Sequence, residues 1–460
     1  MHDLAFVGGR LLDPANHIDG PADLAIRDGR VAEVGRITTG ARRTIDVAGQ
    51  VVIPGVIDVH THLSRHFGAS QGHRMVAETG VVTALDLAGA FDDLADALSA
   101  GGAGLNVAFL YPLVPGATVS SRDPSAVELA DAVDRALASG AIGVKILGGH
   151  YPLTPAATER AIAAAAARRC YVAFHVGTTQ TGSDIRGLAE ALDLAGGRRV
   201  HIAHINSYCR GQATGDPVAE AQRALDLLTA YSEAVSDSYL SVYNGTSARC
   251  SGGVPISEVT RTCLRLGGYE PTERGLEDAI AAGYARIHHL ADGTVVLADP
   301  ETGLAAWRAR GTDAGVSFPV NHIPSAILLA AARRGGRFVV DSLSTDGGAI
   351  PRNVLVRHGL MLVELGVWTL RDFVVKACLN PARVLGVSSK GHLGVGADAD
   401  VTVLDLAAGR ATWSAAAGRI VLGDGRVEGR RGMLLVTPQG ESAARAKQLR
   451  YSVVHREGWT

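Results

Sequence analysis

Six side chains of metal-binding or proton-moving types stand where apolar runs end or break. His60 and His62 close the run Val51-Val52-Ile53-Pro54-Gly55-Val56-Ile57-Asp58-Val59. Residues two apart on a strand share a face, so both imidazoles can aim at one cation. A lone His-x-His is equally well two solvated loop histidines, and the remaining residues decide between these readings. His175 ends Tyr171-Val172-Ala173-Phe174 and His204 follows His201-Ile202-Ala203. Each sets a neutral imidazole, a preferred ligand of zinc and its neighbours, at the end of its own strand. Asp346 follows the run from Phe338 to Thr345. Lys145 interrupts Gly140-Ala141-Ile142-Gly143-Val144 and Ile146-Leu147. A buried lysine is costly as a cation unless its charge is neutralised or its end snorkels to water. The desolvation that lowers its pKa also frees an amine to add carbon dioxide. The resulting carbamate is anionic and bidentate, and can bridge two cations about 3.5 to 4 Å apart.

Such a set needs a scaffold that brings several strand ends to one rim. Buried strands are expected at Val51 to Val59, Val81 to Leu87, Leu105 to Tyr111, Ile142 to Leu147, Tyr171 to His175, Val200 to His204, Ala234 to Tyr243 and Phe338 to Ser342. Helical periodicity fills the connections, as in Ser125 to Ser139, Pro155 to Arg168 and Val218 to Tyr231. Alternation of this kind predicts an α/β chain with a (β/α)8 TIM barrel, whose reactive residues lie at the C-terminal ends of the strands. The barrel is expected over 51–390, with an insertion at about 245–337 that acts at its mouth. The two ends read differently. Asp28-Gly29 and Asp424-Gly425 are hairpin turns between short strands. Residues 1–50 and 391–460 are therefore expected to form one composite β-sandwich domain.

Composition narrows the class. Lys+Arg 44 against Asp+Glu 46 leaves a formal charge of -2, which argues against a nucleic-acid partner. Hydrophobic residues at 47% supply an ample core. The 56 glycines suit many tight strand-to-helix turns. Five cysteines without a Cys-x-x-Cys favour a reducing compartment. Residues 1–20 lack a signal-peptide core, and no apolar run reaches membrane length. The expected location is cytoplasmic, the expected partner a small molecule, and no membrane or nucleic-acid partner is expected. A homo-oligomer is compatible with the chain. Arginine pairs at 42/43, 168/169, 198/199, 333/334 and 430/431 read as solvated ends whose scatter speaks against a basic patch.

The order and spacing of the His60-Thr61-His62, Lys145, His175, His204 and Asp346 strands resemble the amidohydrolase superfamily, as do the β-rich ends. The resemblance implies that His60, His62 and Asp346 bind one metal and that His175 and His204 bind the second. Carbamylated Lys145 bridges both, and the two divalent ions are expected to be zinc, with carbon dioxide or bicarbonate as the source of the carbamate. Asp237 to Ser247, Gly140 to Val144 with His150-Tyr151-Pro152, Ser344 to Gly347 and Leu379 to Gly386 look like segments of the N-acyl-D-amino-acid deacylases. Two departures stand out. Many D-aminoacylases bridge their metal site through a cysteine near strand two or three, whereas Asp86-Leu87-Ala88 and Phe109-Leu110-Tyr111 offer none. Lys145 takes that role instead, as in dihydroorotases and hydantoinases. The His-Pro-Arg stretch that often follows the catalytic aspartate is shortened to Ile350-Pro351-Arg352-Asn353.

The expected reaction is hydrolysis of the amide of an N-acyl amino acid, either hand of which is open, by a metal-bridging hydroxide with Asp346 as base and then acid. Arg210, Arg249 and Arg352 follow strands six, seven and eight and are candidates for a substrate carboxylate. Tyr243 or Tyr208 is a candidate oxyanion donor. His150 is a further substrate contact. His66, His73, His288, His289, His322 and His358 lack a strand-end context. A cyclic amidase of dihydroorotase or hydantoinase type is the rival reading. A metal-free scaffold is the more distant one.

Overall fold

The computed structural model describes residues 1–63, 69–87, 89, 91–455 and 459. His66 and Ala88 lie outside them. Eight parallel strands run β1 Val56–His62, β2 Val81–Leu87, β3 Asn106–Leu113, β4 Gly143–Leu147, β5 Tyr171–His175, β6 Val200–Ile202, β7 Ala234–Ser238 and β8, the segment 342–348. Ser342–Leu343 pairs with β7 and Gly347–Gly348 with β1, so β8 closes the ring into a TIM barrel.

Period-two alternation sorts the side chains. Val144, Ile146, Val172 and Phe174 face the surrounding helices, in one cluster with Leu129, Ala161 and Leu188. Ile57, Leu85, Ala108, Tyr171 and Ala173 fill the interior. Lys145, between Val144 and Ile146, therefore points inward with Gly143 and Leu147. On β1 the pairing with β2 slips between Asp58 and Thr61, an irregularity that re-aims the strand end carrying His60 and His62. Helices start where the sequence supplies caps. Thr154 caps Pro155–Ala167 and Asp216 caps Pro217–Ala230, each accepting from a backbone N–H, with proline already fixed at the helical φ in the first turn.

The expected eighth strand requires correction. Phe338-Val339-Val340 is apolar enough to read as a stave, but Gly335 and Gly336, at φ 55 and 79, turn Arg333–Arg334 back on Arg337–Phe338 in a small hairpin. The stave itself is the more polar Ser342-Leu343-Ser344-Thr345-Asp346-Gly347-Gly348.

Between β7 and β8 the strands Asn244–Ser247, Gly315–Phe318, Arg286–Ala291 and Thr294–Leu297 make an antiparallel sheet with its own core of Leu264, Ile280, Trp307 and Phe318. Helix Ile323–Ala331, inside the stretch read as insertion, packs back on the barrel helix Pro217–Ala230. The termini build two further sheets. One joins His2–Val7, Asp23–Arg27, Arg30–Gly35 and Ala41–Asp46. The other pairs Val51–Pro54 with Val401–Asp405 and continues to Arg426–Val427. Phe6, Leu11, Leu24, Val52 and Val403 pack in the sandwich between them. Asp28-Gly29 and Asp424-Gly425 turn with positive φ at all four residues, as hairpins of that length require. Met433–Val436 leaves the sandwich and pairs with the start of β3.

Candidate metal centre

A cavity of about 640 Å³ opens over the C-terminal ends of the strands, and His60, His62, Lys145, His150, His175, His204 and Asp346 all line it. His62 Nε2 lies 3.0 Å and His60 Nε2 3.3 Å from the same oxygen, Asp346 Oδ1. These three donors sit within 4.8 Å of one another. Across the cavity His204 Nε2 faces His175 Nδ1 at 3.0 Å, and the His60 ring stacks on that of His204 with centroids 4.9 Å apart. Gly149 leaves room for this arrangement, since a Cβ there would stand 2.1 Å from His175 Nε2.

Electrostatics puts these groups in the protonation states that ligands need. Burial pushes His60 down to about 4 and holds His175 and His204 well below the usual histidine range, so all three imidazoles are neutral. Burial likewise lowers Lys145 to about 8, against the pull of Asp346, Asp237 and Asp86. Burial opposes charge on Asp346, yet Arg352 and His60 hold its carboxyl well below the ordinary value. Two convergent donor sets of imidazoles and one carboxylate, with a deprotonatable lysine in the same cavity, fit a pair of divalent ions.

Both His204 (φ 37) and Asp346 (φ 49) adopt left-handed backbone, a conformation that costs a non-glycine residue about 1 to 3 kcal/mol. The surroundings fix them. His204 N–H donates to Asp237 Oδ1 at 3.0 Å, and Asp346 N–H donates to the His60 carbonyl at 2.9 Å.

Asp237 is the functional residue that the strand-end reading missed. It is fully buried, and its Oδ1 also accepts from His201 Nε2 at 2.6 Å. Its Oδ2 accepts from Ser344 Oγ and lies 3.6 Å from His60 Nδ1. A carboxylate within the buried β7 carried the same signal as Lys145. Asp58, within β1, plays a similar part, accepting from the backbone N–H of His60 and of Thr345 and from Thr345 Oγ1.

The substrate-side expectations divide. His150 reaches the cavity, its ring 5.1 Å from that of His175. Arg210 also lines it, with Nε donating to Asn321 Oδ1 and Nη2 to Asn244 Oδ1, both at 2.9 Å. No acidic partner of Arg210 occurs among the described residues. Arg352 is buried against Asp346, with Nη2 2.6 Å from Oδ2 and Nε donating to its carbonyl, so its guanidinium is largely committed to the aspartate. Arg249 requires correction, because it is exposed on the insertion and does not line the cavity. The chain leaves the barrel rim at Asn244 as an antiparallel strand and carries Arg249 away. Tyr243 is not among the residues lining the cavity, and its carbonyl accepts from Arg352 and Asn321. The Tyr208 hydroxyl is spent on the Ala203 carbonyl and the Val176 N–H. Arg122, Arg186 and Arg261 line the mouth without having been singled out, since a solvent-facing arginine on a loop or in the first turns of a helix has no distinctive sequence signal. Arg186 is paired with Asp184 and Arg261 with Glu258.

Residues 260–429 match the model of the amidohydrolase family, a stretch that includes Asp346. A dihydroorotase of Anaeromyxobacter dehalogenans (strain 2CP-1 / ATCC BAA-258) is 26% identical over 455 residues, covering 89% of this chain and 90% of that protein. A solved D-aminoacylase structure superposes with a TM-score of 0.68 at 20% identity, covering 94% of this chain and 99% of the other. N-acyl-D-glutamate deacylase from Bordetella bronchiseptica, solved with zinc and a phosphonate inhibitor, superposes at 0.65 and 20% identity over 94% and 98% of the two chains. Among the described residues no helix is long and apolar enough to cross a membrane.

Proposed function

We propose, for a chain that carries an amidohydrolase family domain, a metal-dependent hydrolase that cleaves the amide bond of an N-acyl amino acid. The observation that carries this reading is the convergence of His60 and His62 on Asp346 Oδ1 beside the facing His175 and His204 nitrogens and the buried Lys145. His60, His62 and Asp346 would hold one divalent ion and His175 and His204 the other, with Lys145 as the bridging carbamate; zinc suits these donors. Bound there, such ions polarise a carbonyl and make water nucleophilic near neutral pH.

The chain's own residues do the rest. Asp346 accepts the proton of the attacking water at its carboxylate and returns it to the leaving nitrogen. Arg352 fixes the orientation of that carboxylate through Oδ2 and the main-chain oxygen. Arg210, held in a fork by Asn244, Asn321 and Ser207 and lacking an acidic partner among the described residues, receives the substrate α-carboxylate. Ile256 and Val259 of the insertion give the outer wall an apolar lining for the acyl or side chain. Among the described residues no disulfide joins any of the five cysteines, which supports a reducing cytoplasmic setting.

A cyclic-amide substrate is the second reading, favoured by the near full-length match to a dihydroorotase. A panel of N-acyl amino acids of both hands, with hydantoin and dihydroorotate, separates the two. Turnover of the linear amides, with loss of affinity in Arg210→Ala, supports the first. Turnover confined to the cyclic amides overturns it.

A further inference from the structure

At the opposite end of the barrel the fold gathers arginines that are far apart in sequence. Asn106 opens β3, Met433 pairs with it, and Arg450 pairs with Met433, so the three form one row across adjacent parallel strands. Arg419 begins the strand Arg419–Gly423 beside this row, and Arg430 and Arg431 lie on the link from the sandwich to Met433–Val436. All four arginines border one recess of about 220 Å³. None of their guanidinium groups has a hydrogen-bond or ion-pair partner among the described residues. Among the described residues the single carboxylate at the rim, Glu428, is drawn towards Arg43, 3.8 Å away.

In a chain whose formal charge is -2, four unneutralised guanidinium groups around one recess do not follow from bulk composition. Like charges brought together repel unless a counter-anion lies between them. The repulsion is felt, because burial and the charge of Arg450 both lower Arg419 from its ordinary value. Planar guanidinium forks match the oxygens of a phosphate in pairs, and the recess has the dimensions of a small phosphate ester. The Asn106 side-chain oxygen, buried at the same recess and unpartnered, offers an acceptor for a hydroxyl or amine of such a ligand.

We propose that this recess, built jointly by the barrel, the sandwich and the C-terminal strand, binds a phosphate dianion, free or carried on a small ester. It is separate from the metal centre, which lies at the other ends of the strands.

The test is calorimetric titration of the full-length metal-loaded protein with inorganic phosphate and, in a second arm, a nucleoside 5′-monophosphate, with sodium chloride matched for ionic strength. The expected result is saturable binding that weakens with added salt and is at least tenfold weaker in Arg419→Ser/Arg450→Ser, a variant that keeps the circular dichroism and amidase activity of the parent. Equal affinity for both ligands identifies free phosphate as sufficient, and tighter nucleotide binding assigns a role to the ester. No heat beyond the chloride control, or equal affinity in parent and variant, overturns the proposal. An independent arm uses Arg430→Ser/Arg431→Ser, so that misfolding of one variant does not remove the test.

Discussion

Asp237→Asn is the most informative single substitution, because one carboxylate supports both halves of the proposed metal centre. The hydroxyl of Tyr171 lies 2.7 Å from His201 Nδ1, which leaves His201 Nε2–H to donate to Asp237 Oδ1. The same oxygen takes the His204 N–H, and Oδ2 takes Ser344 Oγ. A hydrogen bond to a charged acceptor contributes about 1 kcal/mol more than one to a neutral acceptor, so neutralising all three removes about 3 kcal/mol. Asparagine keeps the shape and one acceptor oxygen. Alanine would strand three buried donors and cost about 5 kcal/mol, a large part of the stability of an ordinary domain.

The sign with pH follows from the carboxyl's environment. Although burial opposes its charge, His201 and His60 hold Asp237 well below the ordinary carboxyl value. A depressed acid contributes stability above its unfolded pKa of about 3.9 and loses it only as pH falls through the folded value. The asparagine deficit should therefore be flat from pH 5 to 8. Urea unfolding of the metal-free protein reads the first quantity. Chelator competition reads the second, metal affinity, which should fall about 10- to 100-fold because His60 and the His204 backbone lose their orienting partner. Unfolding free energy within about 0.5 kcal/mol of the parent, with unchanged metal affinity, would refute the reasoning.

Three further outcomes are expected. Asp346→Asn keeps an oxygen for His60 and His62 but cannot carry a proton, so kcat should drop about 10²- to 10⁴-fold while metal analysis still finds bound ions; full activity would remove the proton-transfer role. With Lys145 near 8, its neutral fraction rises about tenfold from pH 7 to pH 9, so reactivation of metal-free protein by zinc at fixed dissolved carbon dioxide should speed up by that factor and be absent in Lys145→Met. Burial raises Asp58 to about 7, so the folded state holds its proton more tightly than the unfolded chain. Its penalty grows as pH rises from about 4 and is complete above 7, costing the metal-free parent about 2 to 3 kcal/mol between pH 5 and pH 8. Asp58→Asn should flatten that slope in urea unfolding.

The metal-binding candidates were legible because each sits where a local hydrophobic period ends or, at Lys145, is interrupted. A barrel brings such ends to one rim regardless of how the loops run. Asp237 obeys the same logic within the expected strand Ala234 to Tyr243, but it lies between Ser236 and Ser238, and this polar triplet masked it as an isolated buried carboxylate. The eighth strand misled for the converse reason. Phe338-Val339-Val340 has strand chemistry, yet its glycine turn sends the chain back before it reaches the sheet.

Loop residues are another matter, because proximity in sequence to a strand end does not fix direction. Arg210 follows β6 through a short loop whose Gly211, Ala213 and Thr214 N–H groups are tied to the buried Glu220, so it stays at the rim. Arg249 follows β7 through the first strand of the insertion, which carries it outwards. The scattered pairs show the same limit from the other side, since Arg430 and Arg431 meet Arg419 and Arg450 only because Met433–Val436 crosses from the sandwich to β3. Nor does any local pattern announce that His204 and Asp346 must take left-handed backbone. Neither is glycine, so the tertiary hydrogen bonds that their N–H groups donate to Asp237 and the His60 carbonyl have to offset that cost. Two of the six proposed metal-binding residues are thus held in strained conformations by partners at the ends of other strands, which ties assembly of the centre to closure of the barrel.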